Sequence, residues 1–144
     1  MRYWIGVASR EHVARGVAGG FCQLCHGKAQ ALQRMSAGDW IIYYSPTECI
    51  EETTSCQRFT AIGEIEAGGI YSHAISHWFV MHRRKVRYHD ANDADIRPLI
   101  GRLDFIRDKS RWGSTLRFGH IEISREDFEI IAERMLVEAP AEAA

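Results

Sequence analysis

Residues 22 to 26 read Cys22-x-x-Cys25-His26, the spacing at which two thioether bonds and an axial imidazole hold a c-type haem. The same thiols would also make one half of a zinc site. Cys49 and Cys56 lie downstream as further ligands, but six residues separate them, looser than the tight knuckles of structural zinc sites. A third chemistry is nucleophilic, since a helix N-terminus and a neighbouring imidazole lower a thiol pKa and Cys25 precedes both His26 and a helical stretch. Adjacent residues of an extended segment point apart, which works against that dyad. The plainest reading is of free cysteines buried as small apolar side chains. The last reading uses the backbone: Phe21, Cys22, Gln23, Leu24, Cys25, His26 and Gly27 form a loop at the mouth of a helix, able to receive an extruded base.

A base reader needs rings to stack on and cations for the flanking phosphates. Tyr44, Trp78, Phe79 and Phe118 are the stacking candidates, and Lys28, Arg83, Lys85 and Arg87 are the phosphate candidates. Each has a blander counterpart. Trp4 and Trp40 sit in apolar strands and belong to a core. Tyr43 and Tyr44 point to opposite faces, so one of them is core too. The run Arg83 to Arg87 also fits a solvated strand face. Trp112 follows Lys109 in an irregular stretch, where it can staple a loop to the body. No Ser–His–Asp order, phosphate-cradling glycine loop or HExxH motif is present, so neither catalysis nor a cofactor is expected.

The chain has 144 residues, 46% of them hydrophobic and 26% charged, which fits one globular domain over 1–137 with a frayed tail over 138–144. Its net charge of -1 supplies no global pull toward nucleic acid, so any such affinity rests on a local patch. The apolar run after Met1 is too short for a secretory segment and meets Arg10, Glu11 and His12 at once. No window approaches the ~18 to 20 apolar residues of a membrane span. The expectation is a cytoplasmic protein with reduced thiols, which argues against haem attachment. The sequence carries no signal for an oligomeric state.

The elements that must position these residues follow from pattern. Tyr3 to Ala8 is a buried strand, and Ser9 caps a short helix over Glu11 to Arg15 that ends at Gly16 and the Gly19-Gly20 pair. Ala29 to Met35 is helical, with Ala29, Leu32 and Met35 on one face. After the turn Ala37-Gly38-Asp39, Trp40 to Tyr44 forms a strand that Ser45-Pro46 stops. The polar stretch 51–55 reads as a surface loop. Arg58 to Ile65 is the next strand, with Gly63 at a bulge or close approach, and Glu66 to Gly69 turns the chain. Val80 to His89 is a strand whose alternation separates Arg83, Lys85 and Arg87 from Arg84, Val86 and Tyr88. Ile96 to Leu103 packs as one or two helical turns, and Phe105 to Gly113 is irregular. Ser124-x-x-Asp127 is a capping box for a last helix over 125–137, with Phe128, Ile131 and Met135 facing the core. Short strands with few helices and no βαβ rhythm predict an α+β fold, a strongly curved mixed sheet or open barrel with peripheral helices.

The ordered set Tyr3-Trp4-Ile5-Gly6-Val7, Phe21 to Lys28, Gly38 to Pro46, Phe59-Thr60-Ala61-Ile62-Gly63, His82 to Val86, Phe105-Ile106-x-x-Lys109-x-x-Trp112-Gly113, Arg117-Phe118-Gly119 and Asp127-Phe128 resembles EVE-domain proteins of the PUA-like superfamily. The superfamily includes YTH domains, readers of methylated adenine in RNA. Their pocket segment is similar to Phe21–Lys28, their Phe-Ser strand end to Tyr44-Ser45, and their pre-strand tryptophan to Trp78-Phe79. The resemblance implies a PUA-like barrel that binds a base, a modified one, in RNA or DNA without chemistry. Where a YTH cage holds a tryptophan near the position of Cys22, this chain has Phe21 and cysteine, so the base itself stays open.

Overall fold

The computed structural model describes residues 1–49 and 54–136. The tail 138–144, most of the polar stretch after Cys49 and the His26 side chain lie outside the described residues. In chain order the elements are β1 (Tyr3–Val7), α1 (Arg10–Gly19), β2 (Phe21–Cys22), α2 (Ala29–Gln33), β3 (Trp40–Thr47), β4 (Ser55–Ser76), β5 (Phe79–Tyr88), β6 (Ala94–Asp95), β7 (His120–Ile123) and α3 (Arg125–Met135). Short 3-10 turns fill Cys25–Gly27, Arg97–Arg102, Lys109–Arg111 and Thr115–Phe118.

The strands form one curved, unclosed mixed sheet in the order β2-β5-β4-β3-β1-β7, with β6 pairing on β4. Among the described residues only β1 and β3 run parallel; the other pairs are antiparallel. Both faces of its middle are buried, and period-two alternation divides the side chains between them. Trp4, Ile41 and Tyr43 enter one core with Val13, Leu24, Leu32 and Val86, under α1 and α2. Ile5, Ile42 and Tyr44 enter the other with Phe59, Leu99, Phe128, Ile131 and Met135, under α3. Both adjacent tyrosines are therefore core, where the sequence placed one.

The caps fall where the sequence put them. Ser9 Oγ accepts from His12 N, and Ser124 Oγ accepts from Asp127 N. The Asp127 carboxylate does not complete a reciprocal box; it accepts from Asp104 N and Phe105 N, both at 2.9 Å, and ties the incoming loop to α3. Asp39 ties the other end of the sheet. Burial would raise its carboxyl, but hydrogen bonds from Ser36 N, Trp4 Nε1 and Arg2 N hold it below its ordinary value.

Four expectations need correction. Gly16 does not end α1: it is buried inside the helix, where a Cβ would come 2.7 Å from the Phe21 carbonyl, and the chain turns at Gly20 instead, with φ +70°. The start of the 21–28 segment is strand, because Phe21 and Cys22 pair with Lys85 and Arg84. β3 runs through Ser45-Pro46, since a register shift there leaves the imide nitrogen without a ladder partner to satisfy. Glu66 to Gly69 is not a turn but a bulge: Ile65 pairs with Val86 and Ile70 with Arg84, so β4 continues to Ser76. The pair β4–β5 beyond this bulge forms an arm. Its base is held by buried Arg84, which donates to the carbonyls of Met35 and Glu66.

Candidate functional site

The junction of β1 and α1 opens a cavity of about 280 Å³ against the turn after β2. Val7, Ala8, Ser9, Glu11, His12 and Arg15 line one wall; Gln23, Cys25 and Gly27 line the other, with Met81 and Gly119 closing the sides. The second wall is set from beneath. The Tyr43 hydroxyl donates to Gln23 O at 2.9 Å and accepts from Gln23 N at 3.2 Å, so both backbone groups of that residue are fixed. Cys25 has φ +49° and Gly27 φ +79°; the first is a left-handed conformation that L side chains adopt only under constraint. A Cβ at Gly27 would lie 2.1 Å from Met81 Sδ.

His12 supplies the polar chemistry of the first wall. Its Nε2 lies 3.4 Å from Gln23 O, and a carbonyl only accepts, so Nε2 carries the hydrogen. Burial, with help from the charges of Arg15 and Arg83, lowers its pKa despite that hydrogen bond. The ring is therefore neutral at pH 7, and Nδ1 is a hydrogen-bond acceptor. Arg15 pairs with Glu11 at 2.9 Å on the same helix. Arg83 stacks over Phe21 at 3.9 Å and donates to Gln23 Oε1 at 3.0 Å, so one cation borders each wall.

Two hollows adjoin the cavity. Through Val7 and Gly119 it meets one of about 560 Å³ that includes Tyr44, Gln57, Arg111, Trp112 and Arg117. Across Cys25 lies another of about 180 Å³, with Lys28, Arg34, Phe118 and His120. His120 is buried, stacks on Trp4 at 4.7 Å, and has no hydrogen-bond partner on either ring nitrogen among the described residues.

Of the residues singled out in the sequence, Gln23, Cys25 and Gly27 reach the cavity. Cys22 and Leu24 point into the core, and Ser45 is buried with its hydroxyl 2.7 Å from Thr60 Oγ1. Tyr44 packs edge-on against Phe59 and borders the neighbouring hollow. Trp78 and Phe79 lie at the tip of the arm, 85% and 45% exposed, and Phe118 is 75% exposed beside the smaller hollow. Arg87 pairs with Glu64, whereas Lys28 and Lys85 are exposed. The sequence reading missed Ser9, Glu11, His12, Arg15 and Met81; the available signal was a histidine, an acid and a base clustered in the first turns after a buried strand.

The thiols are dispersed. Burial pushes Cys22 up to about 12 even beside Arg84, and Cys56 lies 3.4 Å from Arg10 at the start of α1. Among the described residues no three Cys, His, Asp or Glu side chains gather as a metal-binding group, and no helix is long and apolar enough to cross a membrane.

An open, curved mixed sheet with this strand order and peripheral helices is a PUA-like fold. The YTH domain of the Zygosaccharomyces rouxii MRB1 protein, solved in complex with N6-methyladenosine RNA, superposes with a TM-score of 0.64 at 18% identity, covering 92% of this chain and 84% of that one. The EVE domain model matches residues 2–134, and the chain belongs to that family. Relatives include the UPF0310 protein encoded in the gntR 5' region of Bacillus licheniformis, 45% identical over 89% of this chain and 87% of its own length. The UPF0310 protein YdcG of Bacillus subtilis is 41% identical over 92% and 91%.

Proposed function

We propose that this chain binds nucleic acid and seats a single modified base, without chemistry, in the cavity between β1, α1 and the turn after β2. The observation that carries the reading is the rigid second wall, with Gln23 fixed by Tyr43 and Cys25 held left-handed beside a glycine that admits Met81. A volume of about 280 Å³ suits one heterocycle and lies just below the usual range of ligand pockets, about 300–1,000 Å³. The acceptor at His12 Nδ1 fits an exocyclic amine, as on adenine or cytosine. Val7 and the Met81 thioether fit an added methyl group. Arg15 lines the cavity and Arg83 holds Gln23 on its wall, while Lys28 lines the small adjoining hollow and Lys85 is paired across from Phe21; these four are the phosphate partners.

The MRB1 YTH domain was solved with N6-methyladenosine RNA, and the shared fold supports a base ligand here as well. The buried Cys22 thiol, pushed up to about 12, is no nucleophile at neutral pH.

Fluorescence anisotropy with single strands carrying N6-methyladenine, 5-methylcytosine or the unmodified bases tests the reading. One modified strand is expected to bind with salt-dependent affinity. Met81→Trp, which fills the cavity, should abolish that binding, and His12→Ala should weaken it about tenfold through the lost hydrogen bond. Binding unchanged by Met81→Trp, or no preference among the strands, refutes it.

A further inference from the structure

The β4–β5 arm is not explained by a base in the cavity. Past the bulge at Glu66–Gly69 the two strands leave the body and pair from Ile70↔Arg84 out to Ser76↔Phe79. At their tip Ile75, Trp78, Phe79 and Val80 are exposed together, an apolar cluster with Trp78 on the turn itself. Among the described residues, no ring other than its neighbour His77 contacts Trp78. Between Glu66 and Asp90 the sequence holds no acidic residue; of its arginines and lysine, Arg84 is buried at the base and Arg87 pairs with Glu64, which leaves Arg83 and Lys85 toward solvent, in a chain whose net charge is -1. An apolar tip beyond an acid-free strand pair that carries Arg83 and Lys85 suits a polyanion whose interior is apolar.

Strand alternation puts Phe79, Met81 and Arg83 on one face of β5. Met81 lines the cavity, and Arg83 holds Gln23 on its wall. The tip therefore lies three residues beyond the cavity, about 10 Å at ~3.3 Å per residue. That is the scale on which a flipped nucleotide leaves its stack.

We infer that the arm is a wedge for double-stranded nucleic acid: Trp78, backed by Phe79, enters the gap left when the modified base moves from the duplex into the cavity. Apolar wedges of this kind offset the lost stacking of the extruded base. Arg83 and Lys85 then face the phosphates that flank it. The inference rests on the base-reading function and adds its substrate class, a duplex instead of a loop or free strand.

The test uses the full chain and DNA and RNA duplexes with a central N6-methyladenine or 5-methylcytosine, 2-aminopurine beside it, and the same modified strands alone. Wild type is expected to bind a modified duplex and to brighten the 2-aminopurine as its neighbour unstacks. Trp78→Ala should weaken duplex binding about tenfold and remove the brightening, yet change single-strand binding less than about twofold. Trp78→Leu should keep most of both. Thermal melting should be unchanged in each variant, since Trp78 is 85% exposed. The DNA and RNA duplexes identify which duplex is the ligand. Equal losses on strand and duplex would make Trp78 a wall for the bound base and overturn the wedge, as would no loss on either. Wild-type binding to modified strands but to neither duplex overturns the wedge alone. Binding to none of the probes overturns the base-reading function, and the wedge with it.

Discussion

Replacing His120 with phenylalanine separates the fold's acid sensitivity from its packing. The imidazole is 4% exposed, stacks on Trp4 at 12° between planes, and satisfies neither nitrogen. Burial, and then the charge of Arg34, lowers its pKa from 6.5 to about 4. An unfolded chain takes up this proton near pH 6.5, whereas the folded one refuses it until about pH 4. The unfolded state thus binds more protons between those values, so stability rises with pH through the window and is lost on acidification. The slope reaches about 1.4 kcal/mol per pH unit, and the loss across the window is roughly 3 kcal/mol. Phenylalanine keeps the stack and cannot titrate. Urea unfolding at pH 7.5 and pH 4 is the assay. Wild type should lose roughly 3 kcal/mol more than His120→Phe over that range, and the variant should be at least as stable at pH 7.5 because no unpartnered nitrogen stays buried. Contributions from His12, whose pKa is also lowered, are common to both proteins and cancel. Parallel pH profiles would refute the assignment of a buried neutral imidazole.

Gly27→Ala should cost about 2–4 kcal/mol, from a left-handed φ and a Cβ 2.1 Å from Met81 Sδ; adding Met81→Ala should recover the steric part only, as read by denaturant midpoints. Cys25→Ser should leave ligand affinity within about twofold. Cys22→Ser, which puts a hydroxyl into a fully buried apolar site, should lower stability by about 1–3 kcal/mol without affecting saturation binding. Asp127→Ala orphans two backbone N–H groups and should destabilise by about 2–4 kcal/mol, and Asp127→Asn, which keeps one acceptor oxygen, by less.

Much of the scaffold was legible because local and tertiary preferences agree there. β1 and β3 are apolar strands, Ser9 and Ser124 are caps, and Phe128, Ile131 and Met135 follow helical spacing. Reading failed where a long-range ladder overrode a local signal. Glu66 to Gly69 carries turn residues, yet pairing on both sides with β5 draws it into a bulge. Gly16 has a breaker's composition, yet the close approach of Phe21 keeps it in a helix. Of the site, the wall at Gln23, Cys25 and Gly27 was visible as a polar, glycine-bearing loop. The wall from Val7 to Arg15 was hidden inside an ordinary strand, cap and helix, and only the parallel pairing of β1 with β3 brings it opposite the first. Trp78 and Phe79 were legible as aromatic residues before a basic strand, but their distance from the cavity depends on how far the arm extends.

The paired contacts of Tyr43 have a consequence for how the chain finds its pairing. A sheet buried on both faces lacks the usual penalty for a strand that slides by one residue, because apolar side chains occupy both sides. In β3 such a slip would exchange Tyr43 for Tyr44, two rings of one size. Among the described residues, only Gln23, beneath one of the two cores, has an N–H and a carbonyl that both pair with a tyrosine hydroxyl. The oxygen of Tyr43 therefore acts as a key: the correct alignment satisfies it twice, and the shifted one strands it together with both groups of Gln23.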